Sequence, residues 1–208
     1  MTKELKMNSR AIAELVFHMS RIATGEGLVE GLTAAQWAAL RYFAQANRFS
    51  QTPSAFASFH GTTRGTASQT IKSLENQGYL TRIRSEDDRR SVRLVLTEKA
   101  KGILANDPLE SLVRAADSLP PSVNDHFVNA LQHMLGQVSQ ERGKPLFGTC
   151  TPCQYLESDG CSCEKKVNHV CGFTSESLLK EELDGVCINF IQGKPMTWGN
   201  PVTEAKSR

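Results

Sequence analysis

The segment from residue 62 to 96 constrains the fold most, because its pattern changes from helical to extended at a single glycine. Apolar residues recur at helical spacing at Ala67, Ile71 and Leu74, which predicts a helix with one buried stripe. Gly78 follows at the position where helices commonly end in a left-handed residue. The sequence therefore predicts a helix that stops sharply before an extended segment.

The extended segment has the pattern of a two-stranded hairpin. Residues 79–84 and 91–96 alternate well enough to be two strands. Residues 85–90, between them, are all polar or charged and include two arginines, so they cannot pack into a core. We therefore predict an exposed, basic hairpin tip.

This combination suits double-stranded DNA. A helix with a small, hydrogen-bonding outer face fits the major groove, and arginines on a loop are attracted into the narrow minor groove. The alternative is an ordinary amphipathic surface helix followed by a solvated hairpin. On the DNA interpretation, the contacting residues are Arg64, Thr66, Ser68, Gln69, Lys72, Arg84, Asp88, Arg89 and Arg90. Asp88 is expected to orient Arg90 through an ion pair.

The chain from about residue 32 to 140 resembles the MarR family of winged helix-turn-helix transcription regulators. Four stretches carry the resemblance: LTAAQW at 32–37, LENQGYL at 74–80, DDRRS at 87–91 and LTEKA at 96–100. The family's Asp-x-Arg motif falls on Asp88 and Arg90. Gly65, Phe56 and Phe59 depart from the usual family pattern, without affecting the expected fold.

The resemblance implies a mainly α (α+β) fold with a winged helix-turn-helix and terminal dimerisation helices. It implies a homodimer that binds a pseudo-palindromic operator, most often as a repressor. It is compatible with a small-molecule effector. It does not imply an enzyme.

The segments around the hairpin predict further helices. An apolar face over 4–24 predicts a first helix. A second helix is expected to start at Thr33, with Gln36 completing a capping box, and a third at Thr52-Pro53. Thr97 starts another helix that Asp107-Pro108 should break. A capping box at Ser122 and Asp125 predicts the last helix. The first and last helices carry more apolar surface than the domain itself needs. This surface suits either a dimer interface or internal packing, and the resemblance favours the dimer.

Charge and hydropathy restrict the partners. The net charge is only +2, but residues 64–93 hold seven basic against four acidic side chains, so positive charge gathers on the proposed contact surface. The N-terminal segment is too charged for a signal peptide, and no stretch reaches the roughly 20 apolar residues of a membrane span. We expect a cytoplasmic protein.

The composition changes after residue 145, where a cysteine-rich extension begins. All six cysteines lie in this part of the chain. We therefore predict two regions: 1–145, the winged helix-turn-helix and dimerisation domain, and 146–208, the extension. The extension has too few apolar residues for a core of its own, so a bound metal would supply the missing stabilisation. Residues 175–183 are expected to form one short helix.

The spacing of the cysteines predicts a thiolate metal site. The preferred ligands are Cys150, Cys153, Cys171 and Cys187, and the alternates are Cys161, Cys163 and His169. A closed four-thiolate site favours zinc, while an iron–sulfur cluster uses the same ligands and a thiol–disulfide switch needs no metal. Spacing alone does not separate these three.

Two other functional classes compete with a DNA-binding regulator. One is a metal-binding interaction module in which the helical part only dimerises, and the other is a thiol-based enzyme. The sequence contains no nucleophile–base pair, phosphate loop or HExxH set that would favour an enzyme.

Overall fold

The computed structural model describes residues 2–24, 29–84, 92–158 and 169–193. These residues are mainly helical with a β1–β2 hairpin, as the sequence predicts, and they form a second small sheet that it did not predict. The helices are α1 (Thr2–Thr24), α2 (Ala34–Gln45), α3 (Pro53–Phe59), α4 (Arg64–Asn76), α5 (Glu98–Leu104), α6 (Glu110–Asp117) and α7 (Pro121–Glu141). The strands are β1 (Leu80–Arg84), β2 (Val92–Leu96), β3 (Leu156–Ser158), β4 (His169–Cys171) and β5 (Glu176–Leu178), followed by a 3₁₀ turn at Lys180–Glu182.

The helix starts follow the capping residues that the sequence predicts. The Thr33 N–H donates to Gln36 Oε1 at 2.8 Å, and the Gln36 N–H donates to Thr33 Oγ1 at 3.2 Å, which forms the expected capping box. Thr52 caps α3 and Thr97 caps α5 through their hydroxyl oxygens. Each hydroxyl accepts from a backbone N–H that the helix itself cannot pair.

The end of α4 has the geometry that its glycine predicts. Gly78 has φ +75°. The Tyr79 N–H donates to the Leu74 carbonyl at 2.9 Å, and the Gly78 N–H donates to the Glu75 carbonyl at 3.0 Å. This is a Schellman motif, in which the left-handed residue turns the chain out of the helix. It directs the chain from α4 into β1.

Two local predictions were wrong. The last helix begins at Pro121 rather than after a Ser122 cap, because a proline fits a first helical turn, where its missing N–H costs nothing. Residues 175–183 form β5 and a 3₁₀ turn instead of one helix. Ser175 has φ +59°, and residues 176–178 pair with β4, so sheet hydrogen bonds replace helical ones.

The chain groups into two compact units. The first comprises residues 1–44 and 64–124. Its core contains fully buried aliphatic side chains on α2, α4 and β2, with Trp37 beside them. The first sheet pairs β1 with β2 in antiparallel register, from Leu80 opposite Leu96 to Arg84 opposite Val92.

The second unit comprises residues 45–63 and 125–208, so the cysteine-rich extension shares it with α3 and most of α7. Its sheet has the antiparallel order β3-β4-β5. Its core contains Cys150, Cys171 and Leu178, packed against Phe49, Tyr155, Leu156 and Leu183. The domain boundary at residue 145 stays a prediction. Among the described residues, no helix is both long and apolar enough to cross a bilayer.

The two glycines Gly78 and Gly102 make a matched test of the α4 end. A Cβ would meet no other atom within 4 Å at either position, so only backbone conformation differs. Gly78→Ala should destabilise the fold by about 1–2 kcal/mol, because an L-residue is strained at positive φ. Gly102→Ala, inside α5, should be neutral or stabilise the fold by about 0.5–1 kcal/mol. Urea unfolding followed by circular dichroism measures both, and equal effects would contradict this account.

Candidate nucleic-acid interface and cysteine cluster

Helix α4 is amphipathic in the sense that the sequence predicts. Ala67, Ile71 and Leu74 are fully buried. The residues predicted to contact DNA from this helix are all exposed: Arg64, Thr66, Ser68, Gln69 and Lys72. The helix thus presents a continuous surface of hydrogen-bonding and cationic groups.

The buried side of α4 is also held by polar contacts that the sequence did not reveal. Gln36 Nε2 donates to Ser73 Oγ at 3.1 Å, and Gln77 Nε2 donates to the same oxygen at 3.1 Å. Gln36 therefore caps α2 with one atom and contacts α4 with another. The bond from Gln36 ties α2 to α4, while the bond from Gln77 stays within the C-terminal end of α4.

The hairpin β1–β2 forms a wing directly after α4. Its strand positions agree with the predicted ones to within a residue, and Arg84 is exposed at the end of β1. The tip at residues 85–91 lies outside the described residues. The predicted contacts of Asp88, Arg89 and Arg90 therefore stay predictions.

An ion pair joins the wing to α4. Arg82 Nε donates to Glu75 Oε1 at 2.6 Å, and Arg82 Nη2 donates to Glu75 Oε2 at 3.2 Å. The hydrogen bond to Glu75 is the main cause that raises the pKa of Arg82 above its ordinary value. A two-point contact of this kind restrains orientation as well as distance. Sequence reasoning missed this pair because its residues are seven apart on different elements.

A second set of contacts holds the base of the wing. Lys99 Nζ lies 4.3 Å from the centre of the Tyr79 ring and donates to the Gln77 carbonyl at 2.8 Å. Thr97 Oγ1 donates to the Gly78 carbonyl at 2.7 Å. The LTEKA stretch of the sequence therefore anchors the turn between α4 and β1.

Four cysteines of the extension line one small cavity. They are the preferred set from the sequence: Cys150, Cys153, Cys171 and Cys187. Cys153 is half-buried and the other three are buried, and none is in a disulfide. The cavity has a volume of about 10 Å³. Burial, and then the neighbouring thiols, raise the pKa of Cys150 to about 11.

The alternate ligands are placed differently. Cys161 and Cys163 lie outside the described residues. His169 is on β4, two residues before Cys171, and does not line the cavity. Its Nδ1 is buried without a hydrogen-bond partner among the described residues. Within these same ranges, no three Cys, His, Asp or Glu side chains stand in an arrangement that would already hold a metal ion.

A short helix-turn-helix followed by a two-stranded wing defines the class of winged helix-turn-helix proteins. Within that class, residues 30–91 match the model of the MarR family, so this part of the chain is similar to MarR-family proteins. No curated protein matches the chain.

Solved structures give the same fold. The regulator BldR from Sulfolobus solfataricus has 23% identity and a TM-score of 0.50, with 66% of this chain and 99% of that chain covered. CouR from Rhodococcus jostii RHA1, bound to p-coumaroyl-CoA, has 19% identity and a TM-score of 0.50, with coverages of 59% and 88%.

The pair of Arg82 and Glu75 should show measurable coupling. A double-mutant cycle with Arg82→Ala and Glu75→Ala should give a coupling free energy of about 0.5–1 kcal/mol, the upper range for partly exposed pairs. The control is the exposed pair of Arg10 and Glu14 on α1, which should give at most about 0.5 kcal/mol. Urea unfolding of each variant is the measurement. A coupling for Arg82 and Glu75 no larger than the control would show that they do not fix the wing.

Proposed function

We propose that this protein is a cytoplasmic, homodimeric transcription regulator that binds a pseudo-palindromic operator. Helix α4 enters the major groove, and the wing reaches the neighbouring minor groove or the phosphates. The exposed polar face of α4, with its opposite stripe fully buried, carries the proposal. Repression is the expected outcome of binding, because an occupied operator excludes other proteins. A small-molecule effector would act by favouring one arrangement of the dimer.

The contacts divide into two kinds. Arg64, Ser68 and Gln69 face base edges, where Gln can bond adenine and Arg can bond guanine through two atoms each. Lys72 and the arginines of the wing meet phosphates or the minor groove, which gives affinity without sequence preference. Asp88 orients Arg90.

Substitutions should separate these two kinds of contact. Gln69→Ala should cost about 1–3 kcal/mol on the preferred duplex and relax sequence preference at one base pair. Arg90→Ala should weaken binding to all duplexes and reduce the salt dependence of the affinity. Fluorescence anisotropy with a duplex selected from a random pool measures both.

An exposed residue away from this surface serves as the control. Lys101→Ala, on α5, should leave the affinity unchanged. All three variants should unfold at wild-type urea concentrations. Unchanged affinity at physiological salt for both Gln69→Ala and Arg90→Ala would refute this placement.

Exposed apolar side chains support the dimer. On α1 they include Leu15 and Phe17, at 60% and 65% exposure, and on α7 they include Leu135 at 61%. Single exposed apolar residues are common, but rows of them on two long helices expose area that a partner should cover. A second copy is the natural occupant, since a twofold axis would set two α4 helices about 34–36 Å apart on successive major grooves.

A charge on α7 should break this dimer. Leu135→Asp should shift the protein from dimer to monomer at micromolar concentration, because it places a carboxylate in an apolar interface. Leu179→Asp, at a residue 56% exposed outside the terminal helices, is the control and should stay dimeric. Sedimentation velocity decides between the two states. A wild-type monomer that still protects an inverted repeat would contradict the proposal.

The extension is part of the same proposal, as a region that makes the regulator respond to metal or redox state. Zinc is the first expectation, and an iron–sulfur cluster is the alternative. The supporting observation is that four thiols from separate parts of the extension line one cavity. The second candidate function, a metal-binding interaction module that only dimerises, would be favoured by loss of salt-sensitive duplex binding in the purified protein.

A further inference from the structure

We propose that Cys150, Cys153, Cys171 and Cys187 hold a single tetrahedral zinc ion, and that this ion fixes the segment at residues 45–52 that leads into α3. The metal site is supported by the four cysteines that line one cavity and by the buried Asn47 amide beside them. Its effect on DNA rests on the proposed function. The site would thus regulate the first helix of the helix-turn-helix from within the second compact unit.

The cavity is suited to one ion rather than a cluster. Its volume of about 10 Å³ is close to that of a single water-sized particle, about 10–15 Å³ on this measure. The remaining lining is apolar except for Asn47, Tyr155 and Asn189, which are weak metal ligands, so the four thiols are the strong ligands it offers. Four thiolates and no open position define a structural zinc site. An iron–sulfur cluster would need several times this space.

The backbone already positions the four thiols around the cavity. The Cys153 N–H donates to the Cys150 carbonyl at 2.9 Å, which makes the tight Cys-x-x-Cys turn that aims two sulfurs at one point. Cys171 ends β4, and the Cys187 N–H donates to the Gly148 carbonyl at 2.9 Å. Zinc binding would draw these sulfurs together, with the four thiol protons released to solvent.

A buried donor beside the thiols supports an anionic ligand set. Asn47 lines the cavity, and its Nδ2 is buried with no hydrogen-bond partner in the described part of the chain. An unpaired buried amide of this kind costs about 1–3 kcal/mol. A zinc-bound thiolate carries a charge that an N–H can satisfy, as outer-sphere donors commonly do.

The residues on both sides of Cys187 hold the segment before α3. The Val186 N–H donates to the Gln45 carbonyl at 2.7 Å, and the Asn47 N–H donates to the Val186 carbonyl at 3.0 Å. The Ile188 N–H donates to Ser50 Oγ at 2.8 Å. A ligand bond to Cys187 therefore fixes three hydrogen bonds to this segment at once.

Further contacts continue the connection to α3. Ser50 is fully buried, and its carbonyl accepts from the N–H of Thr52, the cap of α3, at 2.7 Å. Arg48 Nη1 lies 2.7 Å from Glu182, and its Nη2 donates to the Ser177 carbonyl at 2.6 Å. Gly185 approaches Asn47 so closely that an added Cβ would stand 2.9 Å from the Asn47 Cβ.

Zinc affects DNA binding if it binds the chain more tightly when residues 45–52 are held in place than when they are not. Equal zinc affinity for both conformations would leave their populations unchanged. Without the ion, a sheet of three-residue strands with a small apolar core is too weak to hold the segment. Zinc should therefore raise operator affinity by a factor of about 5–150, the usual range of coupling between sites.

The first experiment tests the site in the full chain. Anaerobically purified, chelator-treated protein is titrated with Zn²⁺ alone and with Co²⁺ alone, whose visible bands report tetrahedral thiolate ligands. Wild type should bind one ion per chain. Serine substitution of Cys150, Cys153, Cys171 or Cys187 should abolish tight binding, while Cys161→Ser and Cys163→Ser are matched controls that should retain it.

Other results of this titration would overturn the site. They are retention of the ion in all four ligand variants, its loss in either control, or brown protein containing iron and sulfide. Circular dichroism shows whether a variant has lost only the metal. A variant that keeps its helical signal but binds no Zn²⁺ supports the ligand assignment.

The second experiment tests the coupling with Ser50→Ala, which removes the acceptor for the Ile188 N–H and leaves all cysteines in place. Operator affinity is measured with and without Zn²⁺ on a duplex selected from a random pool. Zinc should raise the operator affinity of wild type. Ser50→Ala should still bind one zinc ion but should lose most of this increase in affinity. Ser118→Ala, at an exposed helix end, should behave as wild type.

Two outcomes distinguish a failure of the zinc coupling from a failure of the proposed function. Stoichiometric zinc with equal operator affinity in its presence and absence would overturn the coupling and leave a purely structural site. Absence of duplex binding under every condition would overturn the proposed function and the coupling together, while the metal titration would still decide the site.

Discussion

The apolar stripe of Ala67, Ile71 and Leu74 is the constraint on which the DNA-binding half depends. Complete burial of these three side chains fixes which side of α4 faces the core. Three residues that the core excludes, Arg64, Gln69 and Lys72, must then share the outer face, because helical periodicity allows no other placement. The Schellman turn, the bidentate ion pair and Lys99 next set the wing at the end of that face. The orientation of the proposed DNA-contacting face thus follows from the packing of the core.

We propose that the extension adds a response to zinc to a winged helix-turn-helix fold. It shares one compact unit with α3 and the segment before it, and several hydrogen bonds join residues 186–188 to residues 45–50. Two of these bonds join main-chain atoms, and the third is accepted by the Ser50 hydroxyl. A ligand that fixes Cys187 would consequently act on residues 45–50 through both the main chain and this one side chain.

The sequence predicted local features well and long-range ones poorly, for physical reasons. Caps and stops at Thr52, Thr97 and Gly78 depend on a few neighbouring residues, so their chemistry is visible in the sequence. Other contacts depend on the tertiary fold and cannot be predicted from residue spacing, such as the pairing of Arg82 with Glu75 and the bond from Ile188 to Ser50. Residues 175–183 were misjudged because sheet pairing overrode a weak helical pattern. Cys150 and Cys153 could be grouped from the sequence because their tight Cys-x-x-Cys turn is a local feature, whereas the assignment of all four cysteines as ligands stays a prediction.

The burial of the cysteines also discriminates between their possible roles. A thiol that acts as a nucleophile or redox switch needs exposure and a lowered pKa, since the thiolate is the reactive species. Cys150 has the opposite properties, because it is buried and its pKa is raised to about 11. Cys150 therefore lacks the exposure and the lowered pKa that a nucleophile or redox switch needs, whereas burial beside three further thiols is compatible with the ligand role proposed for it.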